Sequence, residues 1–203
     1  MSVRVKICGV TRVRDALDAL DYGAEMIGLN FHPPSPRCVS LERADEIRRA
    51  IAARALVAGV FVNAAREFIA ARVAELALDL IQFHGDEDEA ALAGWPVATI
   101  RALRLKPDAR LTALPATRAD YLLLDTFHPG LYGGAGVARP LAGLERLDLS
   151  RVFLSGGLDP ANVGAAAALG PYAVDVASGV ESAPGVKDRS RLRSFIANAK
   201  IAR

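Results

Sequence analysis

The sequence predicts an α/β protein whose parallel strands alternate with helices and close into a single (β/α)8 barrel. The chain of 203 residues suits one domain, predicted over residues 1–203, and its 52% hydrophobic content is enough to fill a core. Short runs rich in leucine or β-branched residues recur at intervals of roughly 20–30 residues, with helical periodicity between most of them. Eight such runs predict a TIM barrel near its minimum size, and an open doubly wound sheet is the alternative.

Each predicted strand is a short apolar run, and most of the intervening segments carry an apolar stripe at helical spacing. Strands are expected at Val3–Ile7, Met26–Phe31, Ala55–Val62, Leu80–Phe83, Ala98–Arg101, Tyr121–Asp125, Val152–Ser155 and Ala173–Val176. Helices are expected at Arg14–Tyr22, Glu42–Ala53, Glu67–Leu78, Glu87–Ala93, Pro160–Ala168 and Arg189–Ala199. Thr11, Ser40 and Asp159 are predicted N-caps, and Gly23 and Gly170 are predicted to follow helix ends.

Composition and charge exclude several classes of protein. The 25 basic and 23 acidic residues give a net charge of +2, without the basic stripe that a nucleic-acid-binding protein needs. Two cysteines are too few for a disulfide scaffold and indicate a reducing compartment. No apolar run reaches the ~18 residues of a membrane span, and the first ten residues lack the apolar core of a secretion signal. We therefore expect a cytoplasmic protein that binds neither nucleic acid nor membrane.

Glycines follow the last two predicted strands, at the end of the barrel where active sites of this fold lie. Gly156 and Gly157 come after the seventh strand, and Ser178 and Gly179 come after the eighth. Glycine lets backbone N–H groups approach an anion closely, and these two loops form the frequent phosphate site of (β/α)8 barrels. Ordinary turn glycines are the alternative for each loop alone, but their coincidence favours a phosphate site.

A thiol and a carboxylate are predicted to face each other across the mouth of the barrel. Cys8 follows the first strand and Asp125 ends the sixth. This separation suits a base and an acid that act on two sides of a small substrate. The alternatives are a buried apolar cysteine and an aspartate that only caps a loop.

Alternation along the first strand places one charged side chain inside the barrel. Val3, Val5 and Ile7 share the face toward the helices, so Lys6 points inward below Cys8. An unpaired buried ammonium is costly, and Asp175 on the neighbouring strand is the nearest candidate partner. We expect the ammonium to lower the pKa of the Cys8 thiol, unless Lys6 is a structural charge without effect on it.

Two further side chains are candidates for ligand binding. Arg37 follows the rigid run Pro33-Pro34-Ser35-Pro36, so its guanidinium is preset for a carboxylate or phosphate, whereas a surface arginine is the alternative. His84 follows the fourth strand as an acid, a hydrogen-bond donor or a core histidine. The three histidines lack metal-ligand spacing, and no Walker sequence or dinucleotide fingerprint is present, so we expect no metal and no cofactor.

Motifs that carry a family resemblance follow one another along nearly the whole chain. They are Lys6-Ile7-Cys8-Gly9, Gly28-Leu29-Asn30-Phe31, Ser35-Pro36-Arg37, Gly59-Val60-Phe61-Val62-Asn63, Gln82-Phe83-His84-Gly85, Leu124-Asp125-Thr126, Tyr132-Gly133-Gly134, Leu154-Ser155-Gly156-Gly157-Leu158, Val174-Asp175-Val176, Ser178-Gly179-Val180-Glu181 and Lys187-Asp188. In this order they resemble the phosphoribosylanthranilate isomerase family of tryptophan biosynthesis. Cys38, where the family usually has tyrosine, and Ala135, where it usually has threonine, depart from the pattern.

The resemblance implies a cofactor-free Amadori rearrangement on a TIM barrel. The substrate would be N-(5-phosphoribosyl)anthranilate and the product 1-(2-carboxyphenylamino)-1-deoxyribulose 5-phosphate. Cys8 would be the general base and Asp125 the general acid. Arg37 would meet the anthranilate carboxylate. The other implied substrate-binding residues are Asn30, His84 and Asp175, with Gly156, Gly157, Ser178 and Gly179 at the phosphate.

Two other functions compete with this interpretation. A related histidine-pathway isomerase would have an aspartate at the position of Cys8, and an idle phosphate-binding barrel would not need Cys8 and Asp125.

The irregular stretch Phe127–Leu141 follows the sixth predicted strand. It is long for a connection between a strand and a helix and is predicted to be a functional loop. The aromatic residues Phe31, Phe83, Phe127 and Tyr132 are expected to gather where an anthranilate ring would lie. Either a monomer or a homodimer is expected.

Overall fold

Eight parallel strands form a closed barrel in the computed structural model, which describes residues 3–106, 111–126 and 143–201. Each strand pairs with the next in the chain, and the last pairs with the first. The strands are β1 Arg4–Ile7, β2 Met26–Asn30, β3 Leu56–Phe61, β4 Leu80–Phe83, β5 Ala98–Leu105, β6 Tyr121–Thr126, β7 Val152–Leu154 and β8 Ala173–Val176. The predicted barrel is therefore confirmed and the open sheet is excluded.

The helices pack outside this barrel, and a small hairpin follows its last strand. The helices are α1 Val13–Asp21, α2 Leu41–Ile51, α3 Arg66–Leu76, α4 Val163–Ala168 and α5 Arg189–Ile201, with 3-10 turns at Leu144–Arg146 and Ser178–Val180. Strands β9 Glu181–Ala183 and β10 Val186–Lys187 pair antiparallel. None of the helices in the described ranges combines the length and hydropathy required to cross a bilayer.

Most of the predicted helix boundaries agree with the structure. The Ser40 side chain accepts a hydrogen bond from the Arg43 amide and begins α2. Gly23 and Gly170 follow the ends of α1 and α4 with φ of 103° and 71°, the left-handed backbone that glycine adopts at low cost. Asp159 accepts hydrogen bonds from the amides of residues 161 and 162, although α4 begins only at Val163.

Two of the predictions for helices were wrong. Residues 87–93 contain turns instead of a helix, because Gly94, with a φ of 73°, and Pro96 redirect the chain directly after them. Thr11 does not cap α1. Its hydroxyl instead donates to the carbonyl oxygen of Gly185, which ties the β1 loop to the hairpin near the other end of the chain.

Alternation along the strands divides the apolar side chains into an inner and an outer core. The inner core lies inside the barrel and consists of Met26, Ala58, Leu80, Ile100, Ala102, Leu123, Phe153 and Ala173. The larger outer core joins the opposite strand faces to the helices and contains Phe31 and Phe83, which are 5% and 2% exposed. The expectation that these two rings lie at the substrate was therefore wrong, and Phe127 and Tyr132 fall outside the described residues.

Polar side chains stand directly above the inner core. Gln82, Asp125 and Asp175 each lie two residues beyond an inner-core residue of the same strand, so they point the same way. Lys6 is aligned with Met26 on one neighbouring strand and with Asp175 on the other. The fold thus supplies an apolar floor and, on it, a layer of polar groups that faces the carboxyl ends of the strands.

Candidate active site

A pocket opens at the carboxyl ends of the barrel strands. Of the residues predicted from the sequence to form a site, those that line it are Cys8, Asn30, Arg37, His84, Asp125, Gly156, Gly157, Asp175 and Ser178. Gly179 lies instead beside a neighbouring surface pocket that it shares with Gly157 and Ser178. The structure therefore brings together the predicted acid, the predicted base and both glycine-containing loops.

Cys8 is fixed at the end of β1 by contacts from both sides of its backbone. Its amide donates to the carbonyl oxygen of Val176 over 2.8 Å, and its own carbonyl accepts from Lys187 Nζ over 2.6 Å. Burial raises the pKa of the Cys8 thiol above its usual value, although the ammonium groups of Lys6 and Lys187 act in the opposite direction. Lys6 thus lowers the pKa of the Cys8 thiol, as expected, but desolvation is the larger effect and the net direction is upward.

Lys6 forms the interior ion pair that strand alternation predicts. The Nζ atom of this fully buried side chain donates to Asp175 Oδ1 over 2.7 Å and to Gln82 Oε1 over 2.8 Å. Burial opposes the charge, but Asp175 and Cys8 raise the pKa of the Lys6 ammonium above its ordinary value. Ser155 Oγ donates to the other oxygen of Asp175, so both carboxylate oxygens are engaged within the protein.

His84 and Asp125 form a buried pair on the opposite side of the pocket. His84 Nε2 lies 3.2 Å from Asp125 Oδ2, and His84 Nδ1 lies 2.8 Å from the side-chain nitrogen of Gln82. Asp125 Oδ1 accepts a hydrogen bond from the Thr126 amide over 2.8 Å. The Thr126 amide thus holds one oxygen of the Asp125 carboxyl group, and the other oxygen faces His84.

Arg37 enters the pocket in an ion-paired state. Its Nε and one terminal nitrogen donate to Glu181, with the shorter contacts at 2.9 and 2.8 Å, and Lys187 Nζ donates to the same carboxylate over 2.9 Å. Burial would raise the pKa of the Glu181 carboxyl, but Arg37 and Lys187 outweigh it and hold that pKa below its usual range. Glu181 thus fixes the direction of the Arg37 guanidinium.

The two glycine-containing loops pack tightly against each other and against β6. A Cβ atom on Gly179 would lie 1.9 Å from the Leu158 carbonyl oxygen, and one on Gly156 would lie 2.6 Å from the Thr126 amide nitrogen. Gly156 and Gly157 also have positive φ values of 85° and 66°. These glycines therefore have a structural reason as well as their predicted role at a phosphate.

Four contributors to the site were missed by the site predictions: Gln82, Ser155, Glu181 and Lys187. Gln82 and Ser155 line the pocket. Glu181 accepts hydrogen bonds from Arg37, and Lys187 donates one to the carbonyl oxygen of Cys8. The alternation that identified Lys6 also applies to Gln82, since Leu80, Gln82 and His84 share one strand parity. For Glu181 and Lys187 no such pattern exists, because they lie beyond the barrel strands.

Asn30 and Cys38 shape the loop after β2. Asn30 Oδ1 accepts from the His32 amide over 2.8 Å and its side-chain nitrogen donates to Ser35 Oγ, so this predicted site residue also closes the loop that carries Arg37. Cys38 is partly buried, and its backbone forms an isolated parallel β-bridge with Asn30. The predicted functional loop Phe127–Leu141, with Ala135, lies outside the described residues.

The described residues contain no group of three or more His, Cys, Asp or Glu side chains that is arranged to hold a metal ion. The pocket itself offers side chains for proton transfer and for anion binding. It combines one buried thiol, one buried carboxyl with a histidine partner, and one oriented guanidinium.

Comparison with known proteins gives a consistent result over the full chain. Residues 5–198 match the family model of N-(5'-phosphoribosyl)anthranilate isomerase. A protein of that name from Magnetococcus marinus is 43% identical over 100% of this chain and 97% of its own. The crystal structure of phosphoribosyl anthranilate isomerase from Thermus thermophilus has a TM-score of 0.84 at 35% identity, covering 99% of this chain and 100% of that one.

A further solved structure contains a bound ligand. It is a phosphoribosyl anthranilate isomerase in complex with reduced 1-(o-carboxyphenylamino)-1-deoxyribulose 5-phosphate, 34% identical with a TM-score of 0.77 and 98% coverage of both chains. Sequence and structure thus lead to the same relatives. The chain belongs to the phosphoribosylanthranilate isomerase family, and it is an isomerase.

Proposed function

We propose that the protein acts in cytoplasmic tryptophan biosynthesis and converts N-(5'-phosphoribosyl)anthranilate into 1-(2-carboxyphenylamino)-1-deoxyribulose 5-phosphate. The observation that carries this proposal is the placement of Cys8 and Asp125 on one pocket, at the ends of β1 and β6. A thiol base and a carboxyl acid on separate strands suit an aldose-to-ketose rearrangement, which needs one proton delivered and another removed.

The substrate is anchored at both of its anionic ends. Its phosphate lies against the backbone of the loops at Gly156-Gly157 and Ser178-Gly179, which leave room for close approach. The carboxylate of its anthranilate ring meets Arg37, whose guanidinium Glu181 directs. His84, Asn30 and Asp175 line the wall between these two anchors.

Asp125 begins the reaction as general acid. It donates a proton to the ribose ring oxygen, so that the bond from this oxygen to C1 breaks and the anthranilate nitrogen forms a Schiff base with C1. The resulting Asp125 carboxylate keeps two hydrogen-bond contacts, to the Thr126 amide and to His84. The protonated Schiff base accepts electrons from C2 in the next step, so the reaction needs no cofactor.

Cys8 then acts as the general base. Its thiolate removes the proton from ribose C2, and the electron pair of the C–H bond forms a C1–C2 double bond as the iminium nitrogen becomes neutral. The enolamine tautomerises when C1 gains a proton and the C2 hydroxyl loses one, which yields the ketone. Because burial raises the pKa of Cys8, its thiolate is a stronger base than an exposed one.

A direct assay tests this function. The purified protein is mixed with freshly prepared phosphoribosylanthranilate, and the loss of the anthranilate-type fluorescence is followed. We expect decay much faster than the spontaneous breakdown of the substrate, with the product identified by mass and chromatographic mobility. Decay at the spontaneous rate, from a protein shown to be folded, would contradict the proposal.

A further inference from the structure

A continuous row of buried polar groups crosses the barrel from Lys6 to the acid, Asp125. Lys6 Nζ donates to Gln82 Oε1 over 2.8 Å, the Gln82 nitrogen lies 2.8 Å from His84 Nδ1, and His84 Nε2 lies 3.2 Å from Asp125 Oδ2. Lys6, Gln82, His84 and Asp125 are at most 6% exposed. The direction in which each hydrogen bond runs is therefore decided within the row rather than by bulk water.

The direction of the row follows from Lys6. An ammonium group has three donors and no acceptor, so it fixes the carbonyl oxygen of the Gln82 amide toward itself. Lys6 is held in place by Asp175 over 2.7 Å, which orients the ammonium. The NH2 group of Gln82 consequently faces His84, where it can only donate.

The histidine tautomer follows from the orientation of this amide. A donor at Nδ1 requires that nitrogen to be an acceptor without hydrogen, so neutral His84 carries its hydrogen on Nε2. That hydrogen points to Asp125 Oδ2. The opposite tautomer would place two donors against each other at Nδ1 inside a buried site, and it would leave the Asp125 carboxylate that forms in the reaction facing an acceptor.

We propose that Gln82 is a positioning residue that, oriented by Lys6, fixes neutral His84 as the Nε2–H tautomer and so gives Asp125 a permanent hydrogen-bond donor. His84 then stabilises the carboxylate left after Asp125 has donated its proton, and is not the source of that proton. This use of the donor rests on the proposed function, in which Asp125 is the acid. The tautomer itself follows from the hydrogen bonds alone.

The test is 15N NMR of the histidine side chains, in which ring nitrogens with and without hydrogen resonate in different ranges. The spectrum of His84, assigned by its loss in His84→Asn, is recorded at a pH at which the enzyme is active. We expect hydrogen on Nε2 and none on Nδ1. Hydrogen on Nδ1, alone or together with Nε2, would overturn the proposal.

Gln82→Glu reverses the critical contact while still accepting from Lys6. A carboxylate facing Nδ1 demands a hydrogen there, so we expect the Nδ1 signal to become that of a protonated nitrogen. The matched control is Asn198→Asp, the same amide-to-acid change at an exposed position on α5, which leaves the His84 signals unchanged. An unaltered His84 spectrum in Gln82→Glu would contradict the proposal.

Gln82→Met tests the same hydrogen bonds in case the buried glutamate of Gln82→Glu prevents folding. It removes the donor at Nδ1 without introducing charge, and we expect the His84 signals to shift toward a mixture of tautomers. We also expect kcat to fall roughly tenfold or more, the scale of one hydrogen bond to a charged group, with KM changed less. A purely structural role would leave the tautomer unchanged, and failure of the proposed function would instead show as no turnover in the unaltered protein.

Discussion

The Cys8 thiol lies among charges of both signs inside a buried site. Burial and Asp175 disfavour its thiolate, while Lys6 and Lys187 favour it. Burial thus favours the protonated thiol, while two ammonium groups lie close enough to stabilise the thiolate when Cys8 ionises. The balance, rather than any single neighbour, sets the strength of the base.

The first prediction concerns the titration of this thiol. In a Cys38→Ala background, where Cys8 is the remaining cysteine, the ultraviolet absorbance of the thiolate will titrate above the ordinary cysteine pKa of about 8.5, because burial dominates. Lys6→Met will raise the midpoint further, since it removes the nearest opposing charge. Lys200→Met, the same change at a lysine bound to Glu25, is the control and will leave the midpoint unchanged. A midpoint at or below about 8.5 contradicts this account.

The second prediction concerns Arg37, whose guanidinium makes a two-pronged contact with Glu181. Lysine cannot reproduce that planar geometry. Arg37→Lys will raise KM roughly tenfold, the scale of one lost hydrogen bond to a charged group, with a smaller effect on kcat. Steady-state kinetics measure both constants, with Arg43→Lys at an exposed site on α2 as control. An unchanged KM in Arg37→Lys would remove Arg37 from the substrate site.

At the scale of elements, the loops after β7 and β8 depend on backbone contacts that leave no space for a side chain. Gly179→Ala will lower the free energy of unfolding by about 1–3 kcal/mol, because its Cβ would overlap the Leu158 carbonyl oxygen. Gly164→Ala, in α4 with only an ordinary contact at 3.8 Å, will raise it by roughly 0.5–1 kcal/mol. Urea unfolding measures both changes. The same sign of change in the two variants would show that this packing argument is wrong.

Most of the barrel could be predicted from the sequence because the two faces of each strand have different surroundings, so that residue types alternate along the strand. One face meets the helices and the other meets the barrel interior, so each run of apolar residues marks a strand and its polar members mark the inside. The pair of Lys6 and Asp175 follows from this pattern. Gln82 follows from the same rule and was overlooked, and the rule also explains why Phe31 and Phe83, one residue from Asn30 and His84, point outward.

The remainder depends on contacts between distant parts of the chain. Residues 87–93 have helical periodicity, but Gly94 and Pro96 follow them directly and the chain turns there instead. The contacts of Glu181 with Arg37, and of Lys187 with the Cys8 carbonyl, join residues about 140–180 positions apart and have no local signal. The net direction of the Cys8 pKa likewise required the burial of the thiol, which the sequence does not state.

At the scale of the whole molecule, one buried cluster joins the two ends of the barrel sequence. The Glu181 carboxylate accepts hydrogen bonds from Arg37, in the loop after β2, and from Lys187 on β10. Lys187 also donates to the carbonyl oxygen of Cys8, directly after β1. The hairpin after the last strand is thereby fixed to the first strand and to the site. Loss of this cluster would therefore affect both the stability of the fold and the position of Cys8.

The fourth prediction is the acid dependence of stability. Because the pKa of Glu181 is depressed in the folded protein, its contribution is fully present above the unfolded value of about 4.3 and is lost as the pH falls through the folded value. Glu181→Gln will lose about 3 kcal/mol at pH 7, since it leaves the buried Lys187 and the partly buried Arg37 without their shared counter-charge, and its stability will fall less steeply below about pH 4.3. Urea unfolding at a series of pH values measures this, with Glu46→Gln in an exposed pair as control. Parallel pH curves for Glu181→Gln and the unaltered protein would refute it.

The assignment of base and acid is tested most directly by the turnover of Cys8→Ala and Asp125→Ala with phosphoribosylanthranilate. Each is compared with the unaltered protein and with Cys38→Ala, after folding has been verified by circular dichroism. We predict that kcat falls at least about 100-fold in both variants, the usual contribution of a general acid or base, while Cys38→Ala keeps near-normal turnover. Near-normal turnover by Cys8→Ala or by Asp125→Ala would contradict the account.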